Sequence, residues 1–391
     1  MNNYVIVGDK KVPFRQSDNG AFEFEMGSDQ ITKQQKPIAN PLTTLEPEFI
    51  DNPDEIVPMS LGKDDYFYGI KPYRGGNVVR SNDAFATHET GPDFEERIYN
   101  VTKTSAGFVV VTKHAIHFST TFGSGYTTVL ALDSLTDPGF DEICIEYHQS
   151  GVGRDVFLVG EYSQEKDNVH KLYLSQDGGQ TWTKIKDGQI VDNTVNAHWH
   201  HATFDPYTGN IFASLGDGVN RALYLSRDMG QNWIELSDQN YYQPTLLIPF
   251  IDRIYNGPDS NVNMGVYSIT KKQSRLIGDD DFLNEEFFVI DETITAGLGF
   301  PTQPYARKGN ETYIVYPSKL DQPGAPVYIV ATADGGETWH IVYGTKLTSP
   351  GSDWMHQGIV GVNPDGLMMS YLRYNGEHYL LKFNKLEWNF K

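Results

Sequence analysis

The sequence predicts an all-β protein, a seven-bladed β-propeller of four-stranded antiparallel blades with a short N-terminal arm, six blades being the alternative count. Three observations predict it. An eight-residue turn recurs as SQDGGQTW at 175–182, SRDMGQNW at 226–233 and TADGGETW at 332–339. The copies fall on a period of about 50 residues. Between them run short alternating segments rich in Val, Ile, Tyr and Phe, with almost no helical periodicity. Four short strands in each period of roughly 40–50 residues is how a propeller is written in sequence.

The units follow in order. From Trp182 to Trp233 is 51 residues, from Trp233 to Trp339 is 106, and from Trp339 to Trp388 is 49. The long interval holds two units, and Phe287, 54 residues after Trp233, marks the turn that has lost its motif. Toward the N-terminus, SNDAFATH at 81–88 keeps Ser81, Asp83 and Thr87, with His88 in the tryptophan position. STTFGSGY at 119–126 keeps Ser119, Gly123 and Tyr126 but has Thr121 for the aspartate. Segments such as DVFLVGEY, HKLYLS, NIFASLGD, TYIVYPS and HYLLKFN supply the strands and end at Gly, Asp, Asn or Pro.

Each turn reads as a staple. Asp177 can accept hydrogen bonds from the N–H groups of its own turn. Gly179 supplies a positive φ, and Trp182 buries a large ring over the blade. Ser-x-Asp-x-Gly-x-Thr-Trp resembles the Asp-box, or BNR repeat, of sialidase-like propellers. The resemblance implies that the turn joins the third and fourth strands of a blade at the outer rim. Asp83, Asp177, Asp228 and Asp334, with Trp182, Trp233 and Trp339, are then structural and do no chemistry.

The 391 residues carry a formal charge of −20, which argues against a nucleic-acid partner. The lone Cys144, in EICIEY, reads as a small buried hydrophobe and leaves neither a disulfide framework nor a CxxC zinc site. No window holds 18 apolar residues, so no membrane insertion is expected. The start, MNNYVIVGDKK, lacks the features of a signal peptide. The expected location is a virion or the extracellular space, with the cytoplasm as the alternative. Residues 1–54 read as an arm and linker that supplies an outer strand or attaches the propeller to something larger, a trimer through this arm included; residues 55–391 are the propeller.

Chemistry in a propeller sits where first strands line the channel. His198 and His200 share one strand face and Trp199 and His201 take the other. The first pair suits a divalent metal or acid/base work. Neighbouring blade starts offer Glu146 and His148, His356 and Gln357, Tyr305 and Arg307, and Arg97 and Tyr99. With His198, Trp199 and His200, the ligand-binding set is Glu146, His148, Arg97, Tyr99, His356 and Gln357. If the protein is an enzyme, His200, His148, Tyr305 and Arg307 are the catalytic residues. His114, His117 and His170 read as structural. The stretch HHATFDPYTGNIFASLGD resembles a segment of BNR-like proteins, and its DPYTG is a turn.

A sialidase would need an arginine triad, a Tyr/Glu nucleophile pair and an early Arg-Ile-Pro. Here Arg15 precedes Gln16, and Arg74, Arg97, Arg253 and Arg307 are the arginines available. Propeller lyases resemble this chain in pairing channel histidines with Tyr and Arg. Phage tail and receptor-binding propellers resemble it in a short segment before the repeats. The 23 tyrosines and six tryptophans offer stacking faces for sugars. The expected function is a glycan-recognition propeller, a phage-type receptor-binding or tail protein for cell-surface polysaccharide. The alternative is a lyase or glycoside hydrolase with a channel His/Tyr/Arg site.

Overall fold

The computed structural model describes residues 3–7, 10–16, 22–24, 35–37 and 44–388, apart from 74, 133–138, 150–154, 163–169, 189–197, 217–219, 238–243, 259–264, 272–281, 290–301, 317–325, 347–354 and 375. Among these residues there are strands and turns and no α-helix, and so no helix that could cross a membrane. Successive strands of each unit pair with their neighbours in chain order, as a meander.

Six four-stranded antiparallel sheets result, not seven; five are meanders throughout, and the last takes its fourth strand from residues 48–51. In chain order their first strands are Val57–Leu61, Ile98–Lys103, Gly139–Gln149, His198–Phe204, Thr302–Lys308 and Met355–Gly361. Between the fourth and fifth of these lies a sheet of five strands. It starts at Pro244–Pro249 and carries Gln35–Pro37 parallel to its last antiparallel strand, Phe282–Val289. This is the unit whose turn motif is missing from the sequence, so spacing alone could not foretell its extra edge. Below, the sheets are counted by first strand, with the five-stranded sheet as the fifth.

The first strands pack on one another around an axis, and Val57–Leu61 meets Met355–Gly361 to close the ring. Side chains grade from buried to exposed outward. In the third sheet, Asp155–Tyr162 is buried along nearly its whole length, while the outermost strand Thr183–Asp187 is largely exposed. The core therefore lies between sheets. Tyr99, Val109 and Val111 of the second sheet pack on Phe140, Ile145 and Phe157 of the third. Cys144, Val156 and Leu158 of the third pack on Trp199, Ala202 and Phe204 of the fourth. Cys144 is buried, and burial pushes its thiol pKa far above the ordinary range, so it stays protonated and inert.

The segment before the first blade belts the rim. Gln35–Pro37 edges the fifth sheet. The Leu45 N–H donates to Val342 O at 2.7 Å on the sixth, and the Leu45 side chain is buried in that sheet's core. Glu48–Asp51 pairs antiparallel with Glu377–Asn384 as the fourth strand of the last sheet. A separate three-stranded sheet, Asn3–Val7, Lys10–Gln16 and Phe22–Phe24, precedes the belt.

Candidate functional site

The recurring turns are built as staples. Asp177 accepts from the N–H groups of Gln180 and Thr181 at 3.0 and 2.9 Å and from the Thr181 hydroxyl at 2.5 Å. The Gly179 N–H donates to Ser175 Oγ at 2.8 Å. Asp228 with Asn232, and Asp334 with Thr338, repeat the pattern. Asp83 repeats it with Thr87, although Ala84 and Phe85 stand where the others have glycine or methionine-glycine. Desolvation raises the carboxyl pKa of Asp177, but the donors of Thr181, Ser175 and Gln180 outweigh it and hold the pKa below the usual value.

The turns also join sheets. A hydroxyl of the second sheet, Thr104 Oγ1, donates to Gly178 O at 2.8 Å. Trp233 Nε1 donates to Ile185 O of the third sheet at 3.1 Å, and Arg253 Nη1 of the fifth donates to Gly336 O of the sixth at 3.3 Å. Trp339 is buried against Tyr255, and Trp182 packs at a tilt on Phe157 of its own sheet, 5.4 Å between ring centres.

The chemistry gathers elsewhere, in a cavity of about 440 Å3 on the axis. Its walls are the late residues of first strands and the turns after them: Leu61, Thr102, Glu146, Tyr207, Arg307 and Gly361 each represent one sheet. It therefore sits at the channel end occupied by the first-to-second-strand turns.

Glu146 is its centre. Tyr305, from the sixth sheet, donates its hydroxyl to Glu146 Oε1 at 2.9 Å. His148 Nε2 is 3.0 Å from the same oxygen and 2.9 Å from Thr203 Oγ1 of the fourth sheet. His201 Nε2 lies 3.5 Å from Oε2, within ion-pair reach but not aimed for a hydrogen bond. The Leu247 N–H donates to His201 Nδ1 at 3.1 Å, so in the neutral ring Nε2 carries the hydrogen. Burial opposes the charge on Glu146, but His148 and His201 overcome it and hold the carboxyl at about 2. Burial and the facing Glu146 push the Tyr305 phenol well above its ordinary value, so it is a hydrogen-bond donor.

Arg307 lies two residues beyond Tyr305. Its Nη1 donates to Pro249 O at 2.8 Å, Nε to Gly309 O at 3.1 Å and Nη2 to Tyr207 Oη at 3.2 Å. Phe250 packs against the guanidinium 4.9 Å away. The DPYTG turn presents Tyr207. Asp205 accepts from Tyr207 N–H at 3.0 Å and from the Thr208 hydroxyl at 2.6 Å, and Gly209 holds φ +79°.

His198 and His200 are not on the cavity wall. They are buried, and their Nε2 atoms are 3.0 Å apart. Tyr162 lies 4.0 Å from His198, and the His200 ring fills the space over Gly216. The cause is a bulge: Trp199 pairs with Leu215 and His201 with Ser214, which leaves His200 as the extra residue. Trp199 is in the core between the third and fourth sheets. Tyr99 lines the cavity, with the Arg97 guanidinium 4.4 Å over its ring. His356 and Gln357 lie on the strand Met355–Gly361, with side chains outside the described residues, as is Arg74. His114 pairs with Glu96 and His117 meets Thr112 and Thr128, away from the axis. Among the described residues no three His, Cys, Asp or Glu side chains are grouped to hold a metal ion.

The site thus joins Glu146, His148, Tyr305, Arg307 and Tyr99, all legible as candidates, with His201, Thr203 and Tyr207, which sequence reasoning missed. Tyr207 had a signal, since the turn it sits in must present it to solvent. His201 had none.

Residues 173–184 match the BNR/Asp-box repeat. The fold is a β-propeller that carries this repeat. Its likeness to solved propellers is one of fold. With "YCF48 bound to D1 peptide" it shares 14% identity at a TM-score of 0.55, over 90% of this chain and 100% of that one. With an ancestral GH74 enzyme it shares 12% identity at a TM-score of 0.53, over 88% of this chain and 45% of that one, so it spans less than half the enzyme's length. No curated protein matches the sequence.

Proposed function

We propose that the protein is a saccharide-recognition propeller whose ligand enters the channel from the face of the first-to-second-strand turns. The observation that carries this reading is the composition of the cavity wall. Tyr99, Tyr207 and Tyr305 share one concavity of about 440 Å3 with Ser60, Asn100 and Thr102. Sugars present apolar C–H faces to rings and hydroxyls to short polar groups, and the volume falls within the roughly 300–1,000 Å3 of small-molecule sites. The fold-level likeness to a GH74 enzyme agrees with a carbohydrate ligand. In its fuller form the reading is a receptor-binding component of a phage-type particle, outside the cell, that recognises cell-surface polysaccharide. The separate sheet of residues 3–24 supports this form, as a segment available for attachment and trimer formation.

Binding is favoured over turnover by the state of the polar groups. Glu146 is the one carboxylate on the described wall, whereas hydrolysis by paired carboxylates needs a second about 5–9.5 Å away. A polysaccharide-degrading activity is the second reading, favoured by the contact of Tyr305 with Glu146 and by Arg307 beside them.

The test is binding to whole cells, extracted wall polysaccharide and a glycan array, run beside assays for reducing ends and unsaturated uronate. Saccharide binding without product is expected, weakened roughly tenfold by Tyr207→Ala. Failure to bind any glycan would overturn the reading, and product formation would replace it with the second.

A further inference from the structure

The cavity wall, as described, carries a single Arg or Lys side chain, Arg307. Its partners among the described residues are neutral: two backbone carbonyls, the phenols of Tyr207 and Tyr305, and the Phe250 ring. Other arginines of the described residues are differently placed. Arg80 is paired with Glu89, and Arg253 with Asp252. Arg307 thus brings a positive charge to the axis that no carboxylate of the described residues meets by ion pairing. The carbonyls and Phe250 fix the plane of the fork, and in the bonds to Pro249 and Tyr207 each Nη atom uses one of its two N–H groups. A cation fixed in this way by neutral groups is organised before any ligand arrives.

The other charge on the wall does not cancel it. Glu146 is already met by His148, His201 and Tyr305, which belong to three different sheets. Its lone pairs suit a ligand hydroxyl. In a protein with a net charge of −20, an anionic ligand would be held only where a local cation receives it.

We propose that Arg307 is the specificity-determining residue of the cavity, and that the saccharide bound there carries an anionic group, a carboxylate or a phosphate, received by the guanidinium fork beside the Tyr207 ring. The proposal rests on the saccharide reading above. It adds the charge of the ligand and the residue that selects it.

The test uses the full chain and matched glycan pairs: uronate oligosaccharides with their neutral methyl esters, and phosphorylated oligosaccharides with their dephosphorylated forms. Affinity for each member is measured by titration calorimetry. The acidic member of at least one pair should bind roughly tenfold or more tightly than its neutral partner, the worth of a charge-assisted hydrogen bond. Whether the uronate or the phosphate pair shows the ratio separates carboxylate from phosphate. Arg307→Gln should bring that ratio close to one. Arg307→Lys, which keeps the charge and loses the planar fork, should leave a reduced ratio. The wild-type ratio stands as a measurement even if a variant fails to fold. Equal binding of acidic and neutral members by the wild type overturns the anion proposal and leaves the saccharide reading intact. Binding of no member of any pair removes both.

Discussion

A carboxylate with only 9% of its side chain exposed stays ionised only if partners surround it, and Glu146 has a phenol and two imidazoles from three sheets, Tyr305 and His148 at 2.9 and 3.0 Å and His201 at 3.5 Å. Its folded-state pKa of about 2 lies below the ordinary glutamate value of 4.5. The unfolded chain therefore binds the proton first as pH falls. The stability due to this charge is fully present above pH 4.5 and is lost as pH falls toward 2. By linkage the difference is worth roughly 3 kcal/mol at neutral pH. Glu146→Gln should therefore lower stability by about that amount at pH 7, and the gap to wild type should close as pH approaches 2. Urea unfolding at several pH values checks this; a gap independent of pH would mean that the carboxylate charge is not what these three partners stabilise. Glu146 and His148 were legible because they alternate on one strand. His201 was not, because one bulge at His200 decides which imidazole of HWHH meets the carboxylate, and nothing in the local pattern marks a bulge. The imidazoles singled out for a metal, His198 and His200, therefore contact each other in a buried layer instead of the cavity.

A box turn is a local object, which is why it could be read from eight residues. Its Asp, hydroxyl and glycine bond to one another, and the only outside requirement is room. That requirement is what the sequence did not show. At Gly179, φ is +93° and a Cβ would stand 2.2 Å from Val109 Cγ2 of the preceding sheet. At Gly209, φ is +79° and a Cβ would meet nothing within 4 Å. Both glycines avoid the cost of a left-handed backbone, about 1 kcal/mol. Only Gly179 also lets two sheets approach. Gly209→Ala should destabilise by about 1 kcal/mol, and Gly179→Ala by roughly 2–4 kcal/mol, because a packed interface must open to admit the methyl group. Equal losses in chemical denaturation would show that the boxes do not seat neighbouring sheets against each other. The turn sequence fixes the pairing of third and fourth strands, whereas the number and order of sheets depend on edges far away in the chain. The fifth sheet illustrates this: it lacks the motif and gains its outermost strand from residues 35–37.

A ring of sheets has one seam, and here the seam is closed by residues that precede the first blade. Glu48–Asp51 is hydrogen-bonded to Glu377–Asn384, the Asn52 N–H reaches His378 O at 3.0 Å, and His378 in turn lies between Tyr371, at 2.7 Å, and Glu55, at 3.5 Å. The segment before the first blade and the last strand of the last blade are thereby tied within one sheet. Two truncations separate the belt from the small sheet before it. Removing residues 1–34 deletes the three-stranded sheet and leaves Gln35–Pro37, Leu45 and Glu48–Asp51 in place, so the propeller should keep its cooperative melt. Removing residues 1–52 strips the outer strand from the last sheet and empties the site of Leu45. Loss of a buried leucine alone costs about 2–5 kcal/mol, and each lost hydrogen bond about 0.5–1.5. Against a total stability of roughly 5–15 kcal/mol, that is enough to leave the ring open for much of the time. A bare edge on Glu377–Asn384 would also recruit other strands. The longer truncation should therefore melt broadly at a much lower temperature and run as aggregates on size exclusion, while the shorter one does neither. If both truncations melted alike, the contact of Val57–Leu61 with Met355–Gly361 around the axis would be sufficient to close the propeller, and the belt would be a covering and not a clasp.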